Sequence, residues 1–455
     1  MSSSGPMSRV DKPPYSDTRT LAANQHASPP PSASTSNEND YEKAEAPPTT
    51  VTFGDAPDGG AAAWLTVLGA WCISFCTFGW INSVGTFQDY YERELLKQYS
   101  ASTIAWIPSM QIFFMFAMGP IVGMTHDHYG PRNIILFGSF LHVFGVMMAS
   151  ISSEYYQVML SQGVCSAIGV ACIFQPALSC VGGWFSKKRG AAYGALSTGS
   201  SLGGVIFPIM VNRLIKEVGY GWAMRISGFL ILGLLIVANL TTRSRLPPHP
   251  HSPTKDELMR PFKEPMMLLV TAGTALLTFG IFIPVTYLVV EATASGMSAE
   301  LAQYLIPILN AGSLFGRAVS GIMAVKVGVY NTFIVVCYAT GIFLLALWVP
   351  GTTNAAIVAF AVLFGFSSGA YVSLVPGLIA EISPPREIGF RTGLMFLALS
   401  VGGLTTGPMA GAILAKENGD FLGMKIFAGV FVMVGTTVVL AARLYETGFK
   451  LVAKF

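Results

Sequence analysis

Twelve apolar runs, each of about 20 residues, dominate the chain. A run of this length crosses a bilayer as an α-helix, because each helical residue adds about 1.5 Å and the hydrocarbon core is about 30 Å thick. The sequence is 52% hydrophobic and only 11% charged, and a soluble protein could not bury that much apolar surface. We therefore predict an all-α membrane protein with twelve transmembrane helices, over residues 62–87, 103–125, 133–151, 156–182, 190–212, 222–242, 266–290, 301–324, 332–350, 354–380, 391–415 and 424–444.

The chain repeats part of its pattern about 200 residues apart. Segment 123–133 contains two glycines seven residues apart and ends in Asn, and segment 321–331 does the same. Further along, Pro176 recurs as Pro376. Repeats of this length in a membrane chain indicate two pseudo-symmetric six-helix bundles, which can rock about a shared central site.

The remaining segments are short and polar. Residues 1–55 are rich in Ser, Pro, Asn and Thr, which predicts a disordered cytoplasmic N-terminal tail. We expect an N-terminal bundle over 56–242, a cytoplasmic linker over 243–265, a C-terminal bundle over 266–444 and a short cytoplasmic tail over 445–455.

Orientation follows from the basic residues. With both termini inside the cell, and with residues at the ends of spans counted on the adjoining side, 19 of the 27 Lys and Arg residues lie on the inner side and 7 on the outer side, which leaves only Arg317 well inside a predicted span. Inner loops of membrane proteins carry the excess of Lys and Arg. We therefore expect a multi-pass protein of the plasma membrane with both termini in the cytoplasm.

The loop after the second predicted helix carries the most specific motif. It reads Gly-x-x-x-Asp-x-x-Gly-x-Arg, with Gly123, Asp127, Gly130 and Arg132 at the fixed positions. Glycines permit a tight turn and close helix approach, and Asp can cap a helix N-terminus or pair with a basic group. These four residues are candidates for a gate on the cytoplasmic side. A tight loop without a gating role is the alternative.

This motif resembles the signature of the major facilitator superfamily. Two further segments, residues 57–60 (Pro-Asp-Gly-Gly) before the first helix and residues 184–194 between the fourth and fifth helices, resemble the paired signatures of its monocarboxylate transporter family. The aromatic residue usual after the Gly-Gly pair is Ala61 here. The resemblance implies the two-bundle fold, transport by alternating access and an anionic substrate.

Arg317 is the most informative single residue. It lies nine residues before Lys326, which places it about 13 Å from the cytoplasmic surface, near the midplane. A charge at that depth normally faces a cavity, a partner or a substrate. Asn310, Ser313 and Arg317 follow i, i+3, i+7 spacing and should share one helix face. The alternative is a structural Arg that donates to helix carbonyl groups.

The resemblance implies further site residues. Proton-coupled members of the family carry an Asp at the position of Ser313 and a Lys at the position of Asn82. This chain therefore keeps Arg317 without those charged partners. We expect Arg317 to hold an anionic or strongly polar group, and Asn82, Asn310 and Ser313 to supply hydrogen bonds.

Three more residues within the spans are candidates for substrate contact. Gln175 could face the cavity or bond across helices, and Phe366 and Tyr371 could stack a planar substrate. Each of them could equally be a packing residue.

Several classes of function lack support. The chain has no phosphate-binding loop of the Gly-x-x-x-x-Gly-Lys-Ser/Thr type, no metal-ligand spacing and no catalytic set, so we predict no cofactor, no metal and no enzymatic activity. No basic cluster is interleaved with aromatic residues, which argues against nucleic acid as a partner. The expected partners are the lipid bilayer, a small-molecule substrate of anionic character and, as a candidate, a coupling proton.

The sequence therefore predicts a secondary active transporter that moves a small organic anion, monocarboxylate-like or a carboxylated metabolite, by alternating access. One alternative is an efflux transporter for a secondary metabolite without proton–monocarboxylate symport. Another is a nutrient sensor built on a transporter fold.

Overall fold

The computed structural model describes residues 56–247 and 254–450, so the expected N-terminal tail and the last five residues lie outside the described residues. Twelve helices in this part of the chain are long and apolar enough to cross a membrane, as predicted. We number them α1 (Ala61–Leu95), α2 (Trp106–Tyr129), α3 (Pro131–Ala149), α4 (Tyr155–Trp184), α5 (Arg189–Val218), α6 (Tyr220–Thr241), α7 (Pro265–Ala294), α8 (Ala299–Val327), α9 (Val329–Trp348), α10 (Asn354–Glu381), α11 (Ile388–Lys416) and α12 (Leu422–Thr447).

The segment between α6 and α7 is only partly helical. A short helix, Lys255–Met259, begins at Thr254, whose side chain accepts a hydrogen bond from the backbone of Glu257. One 3-10 turn, Arg260–Lys263, then leads directly into α7. The described part of the linker is thus ordered against the start of the second half.

Helix α1 is not continuous. A π-helical segment, Phe75–Gly79, precedes a turn at Asn82 and Ser83, after which the helix resumes at Val84. Irregular backbone at membrane depth is tolerated where it is surrounded by protein or lines a cavity. The interruption therefore marks the middle of α1 as part of a candidate site.

The two halves, α1–α6 and α7–α12, meet along two seams that are built from small residues. In the first seam α5 crosses α8, where a Cβ on Gly194 would come within 2.9 Å of the Cα of Gly321. In the second seam α2 crosses α11, where a Cβ on Gly119 would come within 2.9 Å of the Cα of Gly393. Small residues allow the backbones to approach this closely, and both seams lie toward the end of the bundle that carries the α2–α3 and α4–α5 loops. We call this end the basic end.

Arg317 is not the only basic residue within a span, which corrects our expectation. Lys425 lies at the very start of the last predicted run, where the count of basic residues places it on the outer side, but in the structure its side chain is buried in α12. Its Nζ is 2.7 Å from Oε1 of Glu291 on α7 and 3.1 Å from the carbonyl oxygen of Trp348. The indole Nε1 of Trp348 donates to Glu291 as well, at 3.0 Å. A charged pair thus joins α7, α9 and α12 inside the C-terminal half.

Candidate functional site

A cavity of about 1640 Å³ lies between the two halves. Residues of α1, α2, α4, α5, α7, α8, α10 and α11 line it. It opens at the end opposite the basic end, where charged residues from both halves surround the opening, which we call the mouth: Glu92, Arg93, Glu94, Arg213, Lys216 and Glu300.

Phenylalanine side chains close the cavity toward the basic end. Phe116 of α2 stacks on Phe396 of α11, with ring centroids 5.2 Å apart. Phe174 of α4 lies 6.1 Å from the same Phe396 ring, and Phe78 of α1 lies 4.9 Å from Phe174. The floor is therefore aromatic and formed by both halves, and a substrate with apolar rings or chains would contact it favourably.

The predicted polar face of α8 does line the cavity. Asn310, Ser313 and Arg317 are all buried in the lining. This face also contacts the N-terminal half, because Oδ1 of Asn310 accepts from Nδ2 of Asn82 at 3.3 Å and Oγ of Ser313 accepts from Oγ of Ser201 at 3.0 Å. The polar residues are thus shared between substrate cavity and inter-half contact.

Arg317 lies at the base of this face with 6% of its surface exposed. Its Nη1 donates to the carbonyl oxygen of Ser197 (3.0 Å) and to Oγ of Ser200 (2.6 Å) on α5, and its Nε donates to Ser313 (3.0 Å). Within the described part of the chain, no carboxylate lies within ion-pair distance of the guanidinium. The alternative role, donation to a helix carbonyl group, is therefore present in this state, while the positive charge has no counter-ion in the part of the chain that the structure describes.

Tyr371, Gln175 and Phe366 have different surroundings. Tyr371 lines the cavity, and its hydroxyl lies 3.1 Å from Oγ1 of Thr278. Phe366 is five residues earlier on α10, which rotates it by about 140° away from Tyr371, and its side chain is partly exposed outside the cavity lining. Gln175 is buried and directs its amide toward the Met115 carbonyl oxygen (3.5 Å). Neither Gln175 nor Phe366 belongs to the cavity lining; Gln175 instead bonds across helices, the second of its two predicted roles.

Two of the four candidate gating residues lie at the contact between α2 and α11, and a third lies in the adjoining turn. Oδ2 of Asp127 accepts from the backbone N–H of Phe390, in the first turn of α11, at 3.0 Å. Gly123 faces the Gly389 backbone, and Gly130, with a φ of 80°, forms the turn from α2 to α3. Asp127 thus places a carboxylate at a helix N-terminus of the other half, where a negative charge is stabilising.

Arg132 does not take part in this contact. Its side chain is exposed and makes neither a hydrogen bond nor an ion pair with any residue that the structure describes. It lies in the first turn of α3, directly after the turn at Gly130. Arg132 therefore does not belong to the seam between α2 and α11.

Two clusters at the basic end were not foreseen from the sequence. Arg391 of α11 donates to both carboxylate oxygens of Glu264 (2.5 and 2.9 Å) and to Glu387 (2.8 Å). Hydrogen bonds from Arg391 hold the pKa of Glu264 below its usual value. In the second cluster, Arg189 of α5 reaches the Ala380 carbonyl oxygen on α10 at 2.9 Å. Glu264 and Ala380 are distant in sequence from the arginines that bind them, so no local pattern identifies these contacts.

The family model described as Major Facilitator Superfamily matches residues 66–357 and 296–450, which together span most of the chain. The chain belongs to the Major Facilitator Superfamily. It is accordingly a membrane transporter and not an enzyme, as the sequence predicted.

The superfamily transporter is similar to several fungal relatives. It is 61% identical over 401 residues to the MFS transporter asaE of Aspergillus flavus, an alignment that covers 88% of this chain and 90% of that relative. It is 52% identical to the fujikurins efflux protein of Gibberella fujikuroi (88% and 86% covered). It is also 42% identical to the aspyridones efflux protein apdF of Emericella nidulans (88% and 81% covered).

Solved structures support the fold of the transporter. The E. coli fucose:proton symporter FucP superposes with a TM-score of 0.67 at 12% identity, over 82% of this chain and 98% of that chain. A second FucP structure, described as being in the outward conformation, gives a TM-score of 0.66 with the same coverage. The predicted twelve-helix fold of the superfamily is therefore confirmed.

Proposed function

We propose that this transporter exports a fungal secondary metabolite that combines an apolar, ring-containing body with an anionic or strongly polar group. One observation carries the proposal: a large cavity with an aromatic floor holds the buried guanidinium of Arg317, which has no counter-ion among the described residues. Its volume of about 1640 Å³ exceeds the roughly 300–1,000 Å³ that is usual for small-molecule sites. Two relatives are named as efflux proteins for fujikurins and aspyridones, which supports export of a compound of this class.

The hydrogen bonds of Arg317 suggest how a bound substrate is released at the mouth. Ser197 and Ser200 belong to α5, whereas Arg317 belongs to α8, so these bonds join the two halves. Opening the basic end requires α5 and α8 to separate there, which would free the guanidinium for an anionic substrate arriving from the cytoplasm. When the basic end closes again, Ser197 and Ser200 return and compete with the substrate for Arg317. Release would then be favoured at the mouth.

A small organic anion is the second candidate, because Arg317 is retained and an Arg fork suits a carboxylate. Such a substrate would leave most of the aromatic floor uncontacted. Among the described lining residues the carboxylates are Glu92, Glu94 and Glu300, all at the mouth, so none lies beside Arg317 to carry a coupling proton. The cavity therefore favours the larger metabolite. We propose the plasma membrane as its location, with both termini in the cytoplasm.

The first experiment compares metabolites inside and outside cells with and without the gene. Export predicts that deletion raises the intracellular level of one metabolite and lowers its extracellular level, whereas depletion inside the cells would contradict export. Vesicles containing the purified protein and loaded with that metabolite should release it, and absence of flux would favour a sensor.

The second experiment tests Arg317 in the same vesicles. Arg317→Gln removes the charge, and hydrogen bonds to charged groups contribute roughly 1.5–3 kcal/mol, so flux should fall about tenfold to a hundredfold. Arg317→Lys keeps a charge without the fork and should give an intermediate loss. Phe366→Ala, outside the cavity on α10, is the control and should leave flux unchanged. Normal flux in Arg317→Gln would refute the central role of this residue.

A further inference from the structure

The segment before α1 and the α4–α5 loop are far apart in sequence, yet they contact each other directly. Oδ1 of Asp58 accepts hydrogen bonds from the backbone N–H groups of Ser186 (2.8 Å) and Lys188 (2.9 Å). The Asp58 N–H in turn donates to the carbonyl oxygen of Trp184 at 3.3 Å. We call these three hydrogen bonds the Asp58 clasp.

The local chain geometry suits this clasp. Asp58 adopts a φ of 52° and Gly60 a φ of 94°, which turns the chain into the start of α1. Asp is one of the few residues with a side chain that tolerates such a φ. Burial alone raises the pKa of Asp58, but the N–H groups of Lys188 and Ser186 outweigh this and hold the pKa below its usual value. Asp58 is therefore a carboxylate at neutral pH.

The clasped loop holds the arginine that crosses to the other half. Nε of Arg189 donates to the Phe185 carbonyl oxygen at 3.0 Å, within the loop that Asp58 binds. Its Nη1 then reaches the Ala380 carbonyl oxygen at 2.9 Å and lies 3.5 Å from Oε1 of Glu381, both at the end of α10. A second contact fixes the loop, because the Phe185 ring packs edge-on against Trp64 at 5.3 Å.

We propose that Asp58 is a positioning residue for the gate at the basic end. The Asp58 clasp joins two segments of the same half, so it persists when the halves separate, whereas the contact of Arg189 with α10 has to break and re-form in every cycle. By fixing the loop between Trp184 and Lys188, Asp58 returns Arg189 to the place from which it meets Ala380. The clasp thereby favours the state in which the basic end is closed.

The proposal concerns the conformational equilibrium, so its test needs no knowledge of the substrate. Spin labels on Leu240→Cys (end of α6) and Tyr445→Cys (end of α12) report the separation of the halves at the basic end. The partly exposed Cys165 is replaced by Ala, and the other native cysteines are buried. Electron paramagnetic resonance then gives the populations of short and long distances in the purified full-length protein.

Two substitutions remove different parts of the clasp. Asp58→Asn keeps an acceptor without the charge, and because charge-assisted hydrogen bonds are about twice as strong as neutral ones, we expect about a threefold increase in the ratio of open to closed basic ends. Asp58→Gly removes the carboxylate while it still permits the positive φ, and the ratio should rise about tenfold. The matched control is Asp420→Asn at the mouth end, where the carboxylate accepts from the Leu422 N–H (3.0 Å); it should not change the ratio.

A double-mutant cycle separates gating from simple stabilisation. Arg189→Gln alone should also raise the ratio, and adding Asp58→Asn to it should have little further effect, because Asp58 acts through Arg189. Additive shifts would overturn the proposal. A lower melting temperature of Asp58→Gly with unchanged distance populations would overturn it as well, since Asp58 would then only stabilise the N-terminal half.

Discussion

Replacing Gly194 by Ala should open the basic end of the transporter. A Cβ at this position on α5 would lie 2.8 Å from the carbonyl oxygen of Arg317 and 2.9 Å from the Cα of Gly321, both backbone atoms of α8. Backbone atoms cannot rotate out of the way, so the two helices must move apart. Overpacking of this kind costs about 1–3 kcal/mol.

The cost applies only to the state in which α5 and α8 touch. It therefore shifts the equilibrium between the closed and open basic end by about fivefold to 150-fold. The measurement uses the same pair of spin labels, on α6 and α12, and the population with the longer distance should increase.

The control for Gly194→Ala is Gly233→Ala on α6, where a Cβ would meet no atom within 4 Å. This substitution should leave the distance populations unchanged, and any gain in helix propensity would be at most about 1 kcal/mol. An unchanged equilibrium in Gly194→Ala would show that the seam between α5 and α8 does not limit opening, and the reasoning from close helix approach would fail.

Two further substitutions test charged contacts, one between the halves and one inside the C-terminal half. Asp127→Asn weakens the interaction with the N-terminus of α11 by about 0.3–1 kcal/mol. Turnover in vesicles should become slower while protein abundance stays normal. Unchanged turnover would contradict a gating role. Lys425→Met leaves Glu291 buried without its partner and should destabilise the protein by about 3–5 kcal/mol, read as a lower midpoint of thermal unfolding. The double variant Lys425→Met with Glu291→Leu should recover much of that loss, and a double variant no more stable than the single one would contradict the explanation.

The fold could be predicted from the sequence because each span is recorded locally, as a run of apolar residues long enough to cross the bilayer. The ends of the spans could not, since helices continue into polar sequence where a partner is available. The ion pair of Lys425 could not be predicted either, because its partner Glu291 lies on another helix and no pattern near either residue indicates the pair.

The site could be predicted only in part. The shared face of Asn310, Ser313 and Arg317 follows from helix periodicity, and all three do line the cavity. Periodicity does not say which way an isolated residue faces, so it leaves both roles open for Gln175 and Phe366, which lie outside the cavity lining. The contact between Asp58 and the α4–α5 loop depends on tertiary packing. The sequence therefore identifies the two segments but does not show that they touch.

Three contacts between the halves share one property: each joins a side chain to the main chain. Arg189 donates to the Ala380 carbonyl, Arg317 donates to the Ser197 carbonyl, and Asp127 accepts from the Phe390 N–H. Every residue supplies a carbonyl, and every residue except proline supplies an N–H. The main-chain side of each contact therefore survives almost any substitution at Ala380, Ser197 or Phe390. These contacts require only that three side chains be kept. Other residues of the cavity lining can therefore diverge to accept new compounds.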